Sequence, residues 1–144
     1  MQVVGFNLNK ISGHRIEDFK HGPMNLNIEF TDMKKLKLDL LKDSEAAKFI
    51  FKFSIDYFES EDKRGPKDQK LAEINIDGHI RLSLTKDELK DVTKSWKKKQ
   101  IPNGLRIALN NLILKKTAPK ALQLQDELGI PSHLPIQQIK PSNQ

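Results

Sequence analysis

The residues of this chain that could do chemistry do not cluster along the sequence. No two of the four histidines have the i, i+4 spacing that places two imidazoles on one face of a helix. The absence of cysteine excludes thiolate nucleophiles, cysteine-ligated zinc and iron–sulfur clusters. Nucleophile elbows and glycine-rich phosphate-binding loops are also absent. We therefore expect a protein that is not an enzyme and has no catalytic residues, no metal site and no cofactor. The histidines are His14, His21, His79 and His133.

Basic side chains are concentrated in one part of the chain. Residues 86–120 begin with Lys86, end with Lys120 and contain ten basic and three acidic residues, whereas the whole chain has a net charge of +6. Such a surface could attract phosphates, anionic lipid or an acidic protein. Trp96 beside three lysines could stack on a base, but a tryptophan in the last turn of an amphipathic helix more often anchors that helix. A solvated helix face explains the charge, and a nucleic-acid-binding protein using the surface from Lys86 to Lys120 is the alternative.

Three stretches of the first half alternate apolar and polar residues with a period of two, which places their apolar side chains on one face of an antiparallel sheet. After Thr85 the period becomes that of a helix. Strands gathered first and helices second predict an α+β domain in which helices cover a sheet. The alternating residues are Met24, Leu26, Ile28 and Phe30; Phe49, Phe51, Phe53, Ile55 and Tyr57; and Ala72, Ile74, Ile76, Gly78, Ile80, Leu82 and Leu84.

Irregular positions mark where these strands bend or end. Alternation that starts at Val4 loses its phase at Ile11 and again at Ile16, around Gly13, which predicts a bulge or bend in one long first strand. The stretch from Met24 to Leu41 is either one bent strand or a strand and its continuation on a neighbouring edge. Residues 59–69 are charged and surround Gly65-Pro66, so they predict the loop of a hairpin.

The helical half begins with a capping-box pattern, Thr85-Lys86-Asp87-Glu88, so the first helix should start near Lys86. An interruption at Pro102-Asn103 separates it from a second helix. We expect Pro119 to end or kink the second helix, a shorter helix to follow, and Gly129 to cap that one.

The second helix is apolar on both flanks. One sheet can cover only one flank, so a second copy of the chain is the natural cover for the other. We therefore expect a homo-oligomer, a dimer or a tetramer, with Leu105, Ile107 and Leu114 at the interface.

The order of these features resembles the family of the export chaperone SecB and its relatives. The matching residues are Leu71-Ala72-Glu73-Ile74 with Gly78 near the middle of that strand, the break Pro102-Asn103, the helix closing in Thr117-Ala118-Pro119, and the end Ile130-Pro131-Ser132-His133-Leu134-Pro135. The resemblance implies a four-stranded antiparallel sheet followed by helices packed across it, in dimers of dimers. We expect a single domain over residues 1–130 and a proline-containing extended tail over residues 131–144.

The same resemblance implies a holdase that binds unfolded or non-native polypeptides through apolar grooves, in protein export or in toxin–antitoxin control. Bacterial SecB is strongly acidic and engages the translocase motor through its acidic sheet face and a cysteine-bearing tail. This chain is basic and lacks cysteine, which argues against delivery to that motor. A basic start followed by an apolar core is absent at the N-terminus, so we expect a soluble cytoplasmic protein with no membrane insertion.

Candidate client contacts come from apolar residues expected on exposed surface. Ile50 and Phe58 fall on the sheet face predicted to be polar, and Leu36 and Leu38 lie near a predicted sheet edge. The predicted client-binding set is Leu36, Leu38, Phe58, Trp96 and Ile101.

A third interpretation is a small enzyme or ligand-binding protein with a pocket lined by Trp96 and a histidine.

Overall fold

The computed structural model describes residues 1–36 and 45–135. Their chain order is four strands, with a 3-10 turn before the fourth, and then two helices, so the predicted α+β class is confirmed. The predicted hairpin loop is also confirmed, between the third and fourth strands. The elements are β1 (Gln2–Arg15), β2 (Met24–Leu36), β3 (Glu45–Tyr57), the 3-10 turn Glu61–Lys63, β4 (Ala72–Leu84), α1 (Lys86–Trp96) and α2 (Asn103–Leu128).

The four strands form one antiparallel sheet in the order β1-β4-β3-β2. The central strands β3 and β4 carry the core on one face, where Phe49 lies opposite Ile80 and Phe53 opposite Ile76. Helix α1 packs on β3 and β4, and α2 packs on β1 and β4. The face covered by helices is the inner face of the sheet, and β2 is the edge strand that these helices cover least.

The bulges of β1 agree with the sequence only in part. The register of β1 shifts between Val3 and Gly5 and between Leu8 and Lys10; the second shift accounts for the loss of phase at Ile11, whereas the register at Gly13 itself is regular. Gly13 instead permits a close approach, because a Cβ there would lie 2.9 Å from Leu128 Cδ1 of α2.

The second strand is one strand with a bend. It runs from Met24 to Leu36, and its register shifts between Phe30 and Asp32. The expected continuation over residues 37–41 lies outside the described residues. A bulge adds twist to the edge of the sheet, and this bend lies beside the helices.

Gly78 marks a second close approach, in the middle of β4. It lies opposite Leu8 of β1 and Phe51 of β3. A Cβ at Gly78 would lie 2.5 Å from the Asn7 carbonyl oxygen and 2.7 Å from Phe51 Cζ. Since one of these contacts is with backbone, a larger residue would push neighbouring strands apart.

Replacing Gly78 with alanine should lower the free energy of unfolding by about 1–3 kcal/mol, because the added methyl overpacks the sheet. Gly104 provides the matched control, since a Cβ there meets no atom within 4 Å. Gly104→Ala lies in a helix and should be neutral or stabilising by up to about 1 kcal/mol. Urea denaturation measures both, and a Gly78→Ala variant as stable as the parent would contradict the close approach.

The first helix begins as predicted. Glu88 N–H donates to Thr85 Oγ1 at 3.1 Å, and Thr85 N–H donates to Glu88 Oε1 at 3.0 Å. This reciprocal pair satisfies two otherwise unpaired backbone donors. The helix therefore starts at Lys86, as the capping-box pattern predicts.

The second helix continues through Pro119, so the prediction of a separate shorter helix is wrong. Proline removes one backbone hydrogen bond and costs a helix interior about 3 kcal/mol. Packing outweighs this cost, because a buried stripe with a period of four continues on both sides of Pro119. Its residues are Leu109, Ile113, Thr117, Ala121 and Gln125.

The predicted cap at Gly129 is confirmed. Its φ of 64° is left-handed, and its N–H donates to the Asp126 carbonyl at 3.2 Å. Ile130 N–H donates to the Gln125 carbonyl at 3.0 Å, which completes a Schellman motif. Within residues 1–36 and 45–135, neither helix combines the length and apolar character needed to cross a membrane.

Candidate functional site

A groove of about 830 Å³ lies between β2 and the corner that joins α1 to α2. Ile28 and Phe30 line it from β2, and Trp96, Ile101 and Pro102 line it from the corner. Its rim is polar. The rim residues are Glu29, Thr31, Ser95, Lys99, Gln100, Asn103 and Arg106.

The strand wall of the groove follows from the sheet register. Ile28 lies opposite Phe53 and Phe30 opposite Phe51, and both partners are fully buried on the inner face. Ile28 and Phe30 therefore also point to the inner face, since directly opposed residues of antiparallel strands share a face. Leu26 is on the same face and is 42% exposed. The inner face of β2 is thus apolar and incompletely covered.

The corner wall depends on a strained turn at Lys99. Lys99 has a φ of 58°, its N–H donates to the Trp96 carbonyl at 2.8 Å, and Gln100 N–H donates to the Ser95 carbonyl at 3.1 Å. A left-handed conformation costs a non-glycine residue about 1–2 kcal/mol. The turn places the Lys99 ammonium 5.1 Å from the centroid of the Trp96 ring, at the rim of the groove. No glycine marks this turn in the sequence, so sequence analysis missed it.

The groove adjoins an open sheet edge. Among the described residues, β2 pairs with β3 only, and no strand pairs with its other edge. An edge strand presents unpaired N–H and C=O groups to an extended chain. A peptide added at this edge could place alternate side chains in the groove, as in β-augmentation.

The structure brings together only part of the predicted client-binding set. Trp96 is half-buried and Ile101 is 9% exposed, and both line the groove. Leu36 lies opposite Ala46, the neighbour of the inner-face residue Ala47, so it is on the outer face of the sheet. Leu38 lies outside the described residues. The sequence analysis also missed Ile28 and Phe30, whose alternation marked them only as sheet residues.

The expectation that Phe58 lies on exposed surface is wrong, because only 3% of the residue is accessible. It follows the last residue of β3, and its N–H donates to the Pro23 carbonyl at 2.9 Å. A Cβ on Gly22 would lie 2.1 Å from the Phe58 carbonyl oxygen, which shows how closely the chain before β2 covers it. Ile50, the other residue expected on the polar face, is half-buried opposite His79.

The predicted interface residues lie on two sides of α2. Leu105 is half-buried and packs against the core. Ile107 is 56% exposed and Leu114 is 37% exposed. Two large apolar side chains one heptad apart are therefore uncovered on one side of α2 in the single chain.

A buried polar cluster holds the chain after α2 against the sheet. Tyr57 Oη donates to the Pro131 carbonyl, and Gln125 Nε2 donates to Tyr57 Oη at 2.8 Å. His133 Nδ1 lies 3.1 Å from Gln125 Oε1, and its ring packs 6.2 Å from that of Phe53. Burial raises the pKa of Tyr57 and lowers the pKa of His133. The described residues that line the groove include no histidine, so a pocket combining Trp96 with a histidine is not formed there.

The pKa of His133 predicts acid sensitivity of folding. Its pKa is lowered by burial from 6.5, so the unfolded chain binds the proton more readily than the folded one. Stability should therefore be fully present above about pH 6.5 and decline as the pH falls through the folded-state pKa of His133. Urea midpoints at about pH 7.5 and pH 5.5 measure this decline, and His133→Gln should reduce it.

His79 should also contribute to the decline in folding stability at low pH. Burial lowers its pKa, and the positive charges of Lys48 and Arg81 lower it further. His79→Gln should remove a separate part of the same decline. An unchanged decline in the double variant would contradict the assignment to these two imidazoles.

Other chemistry is not assembled in the described part of the chain. In residues 1–36 and 45–135, no three His, Asp or Glu side chains converge as metal ligands would. The groove, its open edge and the exposed side of α2 are therefore the features from which function is inferred.

Comparisons with known proteins add one structural likeness. No family model matches the chain, and no curated protein matches its sequence. Among solved structures, it is similar to a SecB-like chaperone of Mycobacterium tuberculosis in complex with a ChAD peptide from the HigA1 antitoxin. The identity is 12%, the match covers 98% of this chain and 92% of that chain, and the TM-score is 0.42.

Proposed function

We propose that the protein is a SecB-like molecular chaperone, without enzymatic activity, that holds non-native polypeptide chains in the groove beside β2. The observation that carries this proposal is a groove with apolar residues on both walls and polar residues between them, lying along the strand edge that is open among the described residues. Main-chain hydrogen bonds at the edge do not depend on the sequence of the bound chain, and the apolar groove accepts its alternate side chains. Both properties suit a binder of many unfolded proteins.

The chemistry of the groove supports broad rather than selective binding. The strand residues that face it, Ile28 and Phe30, and Trp96 of the corner offer apolar surface of no particular shape, which suits side chains of many kinds. The affinity should come from burial of apolar area, at about 25 cal/mol per Å². Unfolded chains expose continuous apolar segments that folding buries.

Assembly is part of the proposal. The uncovered side of α2, with Ile107 and Leu114, would be buried in a dimer or tetramer, and oligomers would present several grooves to one client.

We place the protein in the cytoplasm, with a role in protein export or in toxin–antitoxin control. Residues 1–130 would form the domain and residues 131–144 the tail. The basic, cysteine-free chain does not favour delivery to the translocase motor.

A single-cysteine label tests where clients bind, because the natural chain has no cysteine. Leu26→Cys places an environment-sensitive dye on the inner face of β2, two residues from the groove residue Ile28, and Lys52→Cys places it on the exposed outer face as a control. Adding an unfolded, cysteine-free client should shift the emission at position 26 and not at position 52. No shift at either position, or equal shifts at both, would contradict the groove as the client site.

A further inference from the structure

A second concave surface, the lysine cleft, lies on the other flank of α1. Its volume is about 600 Å³, and it is formed between α1 and the ends of β2 and β3. Three of its cations come from α1, one from the residue that caps the end of α1 and one from β2, and none of its described lining residues also lines the groove. The cations are Lys86, Lys90, Lys94, Lys97 and Lys35.

Charge is segregated around α1. The lysines at positions 86, 90, 94 and 97 recur at helical spacing and lie along one side over about 16 Å. Glu88 and Asp91 lie on another side, where they line a small cavity with Gly104 at the start of α2, and Asp87 follows Lys86 without lining the cleft. An ordinary solvated helix mixes its charges, so this separation gives the cleft a cationic wall.

The cations of the cleft are not neutralised within the described chain. None of its five lysines forms an ion pair with a described carboxylate, and Glu45 is the only acidic residue among the described residues that line it. Like charges brought together in a concavity focus the field and attract an anionic partner. An anionic ligand would therefore relieve their mutual repulsion.

We infer that the lysine cleft binds an acidic, extended peptide segment. The row of about 16 Å matches about five residues of extended peptide. Leu89 and Thr93 lie between the lysines and can contact apolar residues that alternate with the acidic ones. Glu45 can accept a hydrogen bond from a peptide N–H.

Nucleic acid fits the same cleft less well. Among the described residues, no aromatic or arginine side chain lines it, so bases have no stacking platform and phosphates no bidentate partner. The remaining lysines of the predicted basic surface do not line the cleft: Lys98 and Lys99 follow α1, and Lys115, Lys116 and Lys120 are on α2.

Fluorescence anisotropy of a labelled peptide of about ten alternating Glu and Leu residues tests this inference on the full chain. The double variant Lys90→Glu/Lys94→Glu should weaken binding by about 10-fold or more, because it replaces attraction with repulsion. The control Lys115→Glu/Lys116→Glu makes the same charge change on exposed positions of α2 and should alter binding by less than about 2-fold. Urea midpoints verify that both variants fold.

Four outcomes would overturn the inference: no peptide binding, equal losses in both variants, tighter binding of a single-stranded oligonucleotide, or tighter binding of anionic vesicles. The inference goes beyond the proposed function and fails separately from it. Lys90→Glu/Lys94→Glu should leave the dye response at position 26 to a neutral unfolded client unchanged. If the protein with an unaltered cleft gave no dye response but bound the acidic peptide, the result would count against the groove alone.

Discussion

Trp96→Ala should weaken the holding of unfolded chains by about 10-fold or more while leaving the oligomer assembled. The indole lines the groove and is half-buried in the free chain, so its remaining surface is available to a client. Removing an aromatic anchor from a binding site typically costs 2 kcal/mol or more, which exceeds a factor of about 10. Suppression of aggregation of a denatured, unrelated protein measures the loss.

Two further variants separate a local effect from unfolding. Trp96→Phe keeps an aromatic side chain in the groove and should retain most of the holding. Leu26→Glu places a charge on the exposed inner face of β2, two residues from Ile28, and should weaken holding as Trp96→Ala does. Normal holding by both Trp96→Ala and Leu26→Glu would contradict the assignment of the groove.

Ile107→Glu or Leu114→Glu should convert the oligomer to monomers. In the single chain both side chains are exposed, so the substitutions should change the stability of the monomer by only about 0.5 kcal/mol. In an interface the same carboxylates would be buried without a partner, which costs several kcal/mol. Light scattering at tens of micromolar reports the mass of the particles.

Gln123→Glu is the control, since it adds a carboxylate at another exposed position of α2. It should leave the oligomer intact. A parent protein that is monomeric at this concentration would refute the interface. Loss of the folded monomer in both interface variants would instead show that these residues support the chain internally.

Features encoded by neighbouring residues could be predicted from the sequence. The period-two alternation of β3 and β4 gave the buried face, because the pleat itself sets that period. The capping box at Thr85 and the cap at Gly129 were also predicted, because each is a contact within one turn of helix. Such signals do not depend on distant parts of the chain.

Features set by distant contacts could not be predicted. Nothing in the sequence orders the strands as β1-β4-β3-β2, and this order makes β2 an edge beside the groove. From its neighbours alone, Pro119 predicts a helix end, yet α2 continues past it because the buried stripe extends on both sides. Alternation along β3 predicts an exposed Phe58, whereas the chain around Gly22 covers this residue. The groove therefore emerges only when β2 and the α1–α2 corner are placed together.

The most direct test is whether the parent protein, at micromolar concentration, keeps a denatured, unrelated protein from aggregating at both low and high salt. We predict similar suppression of light scattering at about 50 mM and about 500 mM salt, because apolar burial in the groove is not screened as charge pairs are. Suppression that is absent at both concentrations, or is lost at the higher one, would contradict client holding by the groove beside β2.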